Sequence, residues 1–146
     1  MSHIVPTISS GTAGPLGVLH LPRLWQKSSL EAAGKLHPDY PGCGKGYDQM
    51  VLDGIGLDRE ATLGYIKEHK PTYVEFETWV KANATKLDAD SIHNLNAAIA
   101  GYHHKEETRA GILAATGHND EGGNLKDAIN LNNLDDWHTF HQEVLK

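Results

Sequence analysis

Apolar residues recur at intervals of three and four along most of the chain, and no stretch alternates convincingly with the two-residue period of a strand. Leu21, Trp25 and Ala32 follow this spacing within residues 21–35, with Pro22 in the first turn, which predicts an amphipathic helix. Similar stripes, separated by Gly and Pro, continue to the C-terminus and predict about seven short helices. The expected fold class is therefore all-α, a compact bundle of short helices.

Capping signals mark several helix starts. Thr72 and Glu75 form a capping box, in which each side chain satisfies a free amide of the first turn. Asp58, Asp88 and Asp135 each precede an apolar stripe and predict three further N-caps. The stripe of the last of these helices, expected to face the core, consists of Trp137, Phe140, His141 and Val144.

The chain is expected to hold an extended N-terminal arm, residues 1–20, and a single helical domain, residues 21–146. The arm contains two prolines and three glycines, which cannot sustain a helix. A length of 146 residues leaves no room for a second sizeable core. Near the C-terminus a helix is expected to end at Gly117, and a short one to begin at about Asn124, before the helix capped by Asp135.

Composition excludes several classes of partner. The formal net charge is −6, the wrong sign for holding a nucleic acid, and no run approaches the roughly twenty apolar residues of a membrane span. The N-terminus lacks the features of a secretory signal, and the single Cys43 excludes an internal disulfide and fits a reducing compartment. We therefore expect a cytoplasmic protein, for which a homodimer suits the helices and the arm as readily as a monomer.

Two segments carry a resemblance to a known family. They read LHLPRLWQK over Leu19–Lys27 and LDGIGLDREATLGYIKEHKPTYVEFETWV over Leu52–Val80. With the Tyr-Asp pair between them, the chain from about residue 19 to 102 resembles the bacterial domain-of-unknown-function family 5069. The resemblance implies a small helical bacterial protein and implies no particular activity.

The loop between the first two predicted helices, residues 37–46, is the densest collection of reactive groups in the chain. It holds an imidazole, a carboxylate, a phenol, a thiol and an ammonium, and its glycines could turn backbone amides toward an anion at a helix N-terminus. Neighbouring helices are expected to complete one pocket. The predicted catalytic residues are Lys27, His37, Asp39, Tyr40 and Asp48, and the predicted substrate-binding residues are Trp25, Gly44, Lys45, Gly46 and Tyr47.

Each catalytic candidate has an expected role. His37, oriented by Asp39 or by the carboxylate that opens the next helix, would move a proton, because only imidazole titrates near neutral pH unperturbed. Lys27 and the glycine amides would hold a substrate anion, or Lys27 would act as a base or a Schiff-base amine. Tyr40 or Tyr47 would stabilise a developing oxyanion by a hydrogen bond.

Structural alternatives to these roles stay open at this point. His37 and Asp39 could form only a local Asx turn, and Lys27 could pair with Glu31 one turn away on the helix surface. Cys43 lacks the signature of a nucleophile and is interpreted as an inert thiol.

The ten histidines suggest one further site. His138 and His141 share a helix face and could bind a metal, with additional ligands from His103, His104 and Glu107. No His-Glu-x-x-His or comparable signature accompanies them, so the principal prediction includes no metal and no cofactor.

Three functions follow in order. The first is a small cofactor-independent bacterial enzyme that uses general acid/base chemistry, of lyase, hydrolase or isomerase type, on a small polar or anionic metabolite. The second is a non-catalytic ligand- or protein-binding helical module, which exposed Trp or Tyr side chains would favour. The third is a metal-dependent enzyme with histidine ligands.

Overall fold

The computed structural model describes residues 3–146, which form seven α-helices and a final π-helical turn, without any strand. The all-α prediction is thus confirmed. Within this part of the chain, no helix is both long and apolar enough to traverse a lipid bilayer. The helices are α1 (Leu21–Ala32), α2 (Tyr47–Ile55), α3 (Arg59–His69), α4 (Tyr73–Asn83), α5 (Ala89–Ala100), α6 (Glu106–Thr116) and α7 (Ala128–Phe140), and the π-helical turn is His141–Leu145.

Three of the predicted helix starts are confirmed. The Asp58 carboxylate accepts a hydrogen bond from the backbone N–H of Ala61 (2.9 Å), and Asp88 caps α5 in the same way. At α4 the reciprocal capping box of Thr72 and Glu75 is complete. These signals are local, because donor and acceptor lie within one helical turn, and they were therefore readable from the sequence.

The predicted C-terminal helices were wrong. A single helix, α7, replaces the short helix and the Asp135-capped helix, and it is capped by Asp127, whose carboxylate accepts from the N–H of Asn130 (3.0 Å). Asp135 lies in the middle of this helix. The apolar stripe faces solvent, and Trp137 is 62% exposed, because the preceding residue, Asp136, is buried and fixes the rotation of the helix. The other predicted stripe residues, Phe140, His141 and Val144, are also exposed.

The core lies where α1 and α2 pack against α3, α4 and α5. Its fully buried side chains contribute about 1.5–3 kcal/mol each by leaving water. Gly54 allows α2 and α5 to approach closely, since a Cβ atom added there would lie 2.6 Å from Cδ1 of Leu95. The largest buried apolar side chains are Leu21, Leu24, Leu52, Ile55, Ile66, Phe76, Ile99 and Leu131.

Residues 3–20 contain no helix and are fastened to the helices by side-chain acceptors. Gln26 accepts from the N–H groups of Thr7 and Ile8 (2.9 and 3.2 Å), and Asn96 accepts from the N–H of Leu19 (3.0 Å). Val18 is fully buried in the core cluster. This segment therefore packs on the helices and delivers the chain to the start of α1.

Candidate functional site

A cavity of about 330 Å³ lies between α1, the loop 37–46, the start of α2 and α7. It brings together all of the predicted site residues except Trp25 and His37. The residues in its wall that the sequence analysis had assigned are Lys27, Asp39, Tyr40, Gly44, Lys45, Gly46, Tyr47 and Asp48. Those that it had not placed in this pocket include His20, Arg23, Tyr102, His104, Asn132, Asp135 and Asp136.

Asp48 is the centre of a buried polar network at one side of the cavity. Its Oδ1 accepts from Nε2 of His20 (2.6 Å), and its Oδ2 accepts from Nζ of Lys27 (2.6 Å) and from the N–H of Gly44 (2.7 Å). Burial acts to raise the pKa of Asp48, but the hydrogen bond from His20 and the charge of Lys27 outweigh it and hold the pKa well below its usual range. Asp48 is therefore a stable carboxylate.

This network corrects the expected anion site. Lys27 and the Gly44 amide were predicted to hold a substrate anion, but both donate to the carboxylate of Asp48. Asp48 lies in the first turn of α2, where the helix dipole favours a negative charge. The protein thus supplies its own anion at the glycine-rich loop, and the alternative pairing of Lys27 with Glu31 is not formed.

His20 completes the network, and the sequence analysis missed it. Because the ionised Asp48 can only accept, Nε2 of His20 carries the proton, and Nδ1 accepts from the Ser10 hydroxyl (3.0 Å). Burial lowers the pKa of His20 despite the hydrogen bond to Asp48, so the imidazole is neutral. A usable signal existed: Arg23 and Lys27 lie one turn apart on one face of α1, and His20 is the residue directly before that helix.

The opposite wall is held by a buried ion pair. Nη1 and Nη2 of Arg23 donate to the two carboxylate oxygens of Asp136 (2.6 and 3.1 Å), and Nη1 also donates to the carbonyl oxygen of Ile8 (2.8 Å). A bidentate pair of this kind fixes orientation as well as distance. It locks α7 against α1 and against the N-terminal segment.

The loop itself is anchored on both sides. Ser28 donates its hydroxyl to the carbonyl oxygen of Gly42 (2.9 Å), and Glu31 accepts from the N–H of the same glycine (3.1 Å). From α3, Arg59 donates to the carbonyl oxygen of Gly44 (3.0 Å). Helix α1 therefore anchors the loop at Gly42, and α3 positions Gly44, which lines the cavity.

Two side chains in the cavity wall, Asp135 and Tyr40, lack the hydrogen bonds that the groups around Asp48 make. Asp135 is half-buried, and no residue within 3–146 donates a hydrogen bond to its carboxyl group; burial and the adjacent charge of Asp136 raise its pKa. The hydroxyl of Tyr40 is buried and has no hydrogen bond of good geometry among the described residues, although the side chains of Thr139 and Asp136 lie near it. Burial and the charges of Asp136 and Asp135 raise the pKa of Tyr40, so it is a neutral donor. Sequence analysis had used Asp135 as a helix cap and thereby overlooked it.

His37 lies outside the cavity wall. Its Nδ1 accepts from the backbone N–H of Asp39 (3.1 Å), so Nε2 carries the proton and donates to Oε1 of Glu143 (3.0 Å). The carboxylate of Asp39 is 3.9 Å from Nδ1 and its side chain is 80% exposed. The expected proton-transfer pair of His37 and Asp39 is therefore not formed, and His37 instead ties the loop to the C-terminal turn.

Neither Trp25 nor the Tyr47 hydroxyl can take the role that the sequence analysis gave it, and Cys43 is an inert thiol, as interpreted from the sequence. Trp25 lies in the wall of a different cavity, and its indole N–H donates to the carbonyl oxygen of Pro71 (3.0 Å). The hydroxyl of Tyr47 donates to the carbonyl oxygen of Ile99 (2.7 Å), which leaves it no proton for an oxyanion. Burial, with a contribution from the charge of Asp48, raises the pKa of Cys43 to about 11, as expected of an inert thiol.

The histidines proposed as metal ligands do not converge. Within residues 3–146, no three His, Cys, Asp or Glu side chains form a group that could hold a metal ion. His141 is exposed in the terminal turn, and His104 bonds through Nε2 to Oδ1 of Asn132 (2.8 Å). The pair His138 and His141 therefore lacks the additional ligands that the sequence analysis had anticipated.

No protein-family model matches the chain, and no curated protein is significantly similar to it. Fold and site together define a small all-α protein with a polar cavity, in which a satisfied network around Asp48 lies opposite a half-buried acid, Asp135. The chemistry of the cavity is therefore argued below from its own residues.

Proposed function

We propose that the protein is a small cofactor-independent enzyme that uses general acid/base chemistry on a small polar molecule bound in the cavity between α1 and α7. The observation that carries this proposal is the half-buried carboxyl group of Asp135, which has no hydrogen bond from residues 3–146 and a raised pKa. A carboxyl group in a cleft whose pKa is shifted toward neutrality is suited to accept and return a proton.

The roles divide between a reactive side and a rigid side. Asp135 takes a proton from the substrate and returns it to another substrate atom, or to a leaving group, so that the enzyme is unchanged after one turnover. Tyr40 donates a hydrogen bond to the oxygen on which negative charge develops. The ion pairs of Lys27 with Asp48 and of Arg23 with Asp136 hold the walls in place. Isomerisation, elimination and hydrolysis all fit these roles.

The substrate class follows from the polar wall. Lys45 is exposed at the cavity and makes no ion pair within the described residues, so it can attract the anionic end of a small metabolite. Small hydroxy and keto acids are therefore the first compounds to test. Their exchange of carbon-bound hydrogen for solvent deuterium reports proton transfer directly, whatever the overall reaction.

The test is deuterium exchange measured by NMR with a panel of hydroxy and keto acids, for wild type and for Asp135→Asn. We expect at least one compound to exchange faster with the wild type than without protein, and the substitution to lower that rate about a hundredfold or more. Asp90→Asn, an equal charge change at an exposed site on α5, should retain the rate. Full activity of Asp135→Asn would contradict the assignment.

The second candidate is a non-catalytic ligand- or protein-binding helical module. It is favoured by the exposed Trp137 and Phe140 on α7 and by the mutual satisfaction of His20, Lys27 and Asp48, which leaves these groups no need of a substrate. Binding of a panel compound with no exchange or turnover would support this function over the enzymatic one.

We also propose a relationship to the bacterial domain-of-unknown-function family 5069 and a cytoplasmic location, as a monomer or homodimer. The two quoted segments support the relationship, and the buried Cys43 is compatible with a reducing compartment. The family carries no settled activity, so the enzymatic proposal stands on the cavity alone.

A further inference from the structure

A second cavity, of about 440 Å³, lies on the other side of α1, where the C-terminal turn of α1 meets the end of α3. It shares no lining residue with the cavity described above. Apolar side chains, among them Trp25, Ile66 and Pro71, form much of its wall. Its volume lies in the range of cavities that take small organic ligands, roughly 300–1,000 Å³.

The polar groups of this cavity are positive or neutral. Lys35 and Lys70 both line it and are exposed, and no Asp or Glu among the described residues forms part of its wall. The hydroxyl of Ser29, also in the wall, is buried without a hydrogen-bond partner within residues 3–146. A buried hydroxyl that stays unpaired costs free energy, so it favours a ligand that accepts its hydrogen bond.

The backbone holds both lysines at fixed positions. Lys70 is the C-cap of α3 in a left-handed conformation, φ 47°, and its N–H donates to the carbonyl oxygen of Ile66 (3.0 Å). Lys35 donates its N–H to Leu30 (2.9 Å) and accepts at its carbonyl oxygen from Ile4 (2.7 Å). The indole N–H of Trp25 is already used by Pro71, which fixes the ring in the wall.

We propose that this cavity binds a small carboxylate with an apolar body, of the size of an arylacetate. The carboxylate pairs with Lys35 and Lys70 and accepts from the hydroxyl of Ser29, while the apolar body packs against Trp25 and Ile66. The two positive side chains favour a ligand with a negative charge, and the apolar wall favours a ligand whose remaining part is apolar. This site is independent of the acid/base function proposed for the first cavity.

The first test compares phenylacetate with its neutral analogue phenylacetamide by isothermal titration calorimetry. We expect phenylacetate to bind with a dissociation constant of about 1 mM or lower, and phenylacetamide to bind about tenfold more weakly or not at all. The double substitution Lys35→Gln/Lys70→Gln should weaken phenylacetate binding about tenfold, since both ion pairs are lost. The matched control Lys81→Gln/Lys86→Gln removes the same charge from exposed positions at α4 and the loop after it, and should leave binding unchanged.

The second test locates the ligand. In protein labelled with 5-fluorotryptophan, the three tryptophans give separate fluorine resonances, and the Trp25→Phe substitution assigns one of them. Phenylacetate should shift the Trp25 resonance and leave those of Trp79 and Trp137 in place. Equal affinity for the two compounds, no effect of Lys35→Gln/Lys70→Gln, an unmoved Trp25 resonance, or no binding of phenylacetate to folded protein at about 10 mM would each overturn the proposal.

Discussion

Asp48 shows how one side chain can serve three donors, since its two oxygens accept from His20, Lys27 and the Gly44 amide at 2.6–2.7 Å. Such a buried carboxylate is stable only while its partners stay in place, because each of them would otherwise lose a hydrogen bond while largely buried. These contacts fix the wall of the cavity. They also pair Lys27 with Asp48, so that Lys27 is not free to bind the substrate anion that the sequence analysis expected it to hold.

Asp48→Asn tests this network at the scale of the residue. The substitution keeps the shape of the side chain but leaves the ammonium of Lys27 buried without an anion, and such a loss costs about 3–5 kcal/mol of unfolding free energy. Urea unfolding monitored by circular dichroism measures the change. Asp53→Asn, in the same helix and bonded only by the Gln49 side chain, is the control and should change stability by less than about 1 kcal/mol. A result for Asp48→Asn as small as the control would show that the network carries little stability.

Contacts between residues close together in the sequence could be predicted, and contacts between residues far apart in the sequence could not. The capping box of Thr72 and Glu75 spans three positions and was predictable, whereas Arg23 meets Asp136 across 113 positions and was not. Asp135 illustrates the same limit, because an aspartate before an apolar stripe looks like a cap unless the burial of its neighbour is known. The loop could be predicted as a site, but the partners of its groups could not.

At the scale of the element, interhelical spacing is set by small residues as well as by apolar stripes. Gly54 lies in α2 against Leu95 of α5, where an added Cβ would lie 2.6 Å from Leu95 Cδ1, whereas Gly64 in α3 has no atom within 4 Å of such a Cβ. Gly64 lies in the middle of α3 and Gly54 in the last turn of α2, so replacement by Ala would gain up to about 1 kcal/mol in helix propensity at Gly64 and less at Gly54.

The two substitutions should therefore have opposite signs. Gly64→Ala is expected to stabilise the protein by up to about 1 kcal/mol, because nothing opposes the gain in propensity. Gly54→Ala is expected to destabilise it by about 1–2 kcal/mol, because overpacking against Leu95 outweighs that gain. Thermal unfolding of the pair gives the comparison, and equal stabilisation by both would mean that α2 and α5 separate without cost.

At the scale of the whole molecule, the helices follow from local pattern, whereas the positions of the N-terminal segment and of α7 depend on long-range polar contacts. The segment before α1 is tied down by Gln26 and Asn96, and α7 is held by Arg23. Each of these contacts joins segments far apart in the chain. The all-α class and the starts of α3, α4 and α5 were predictable because their signals are local, whereas the start and the rotation of α7, with Trp137 turned to solvent, were not.

The stability of the whole molecule should depend on pH through the buried pair His20 and Asp48. The pKa of His20 is lowered on folding and that of Asp48 is also lowered, so the unfolded chain binds more protons at both sites as the pH falls. Unfolding free energy should therefore decrease from about pH 6.5 downward, first through His20 and below about pH 4 through Asp48, by up to about 1.4 kcal/mol per pH unit for each group. Urea unfolding between pH 7 and 5 should show a shallower slope for His20→Gln than for wild type, whereas His93→Gln, at an exposed site, should keep the wild-type slope. If wild type and His20→Gln were equally sensitive to pH, the neutral buried imidazole would not be the titrating group.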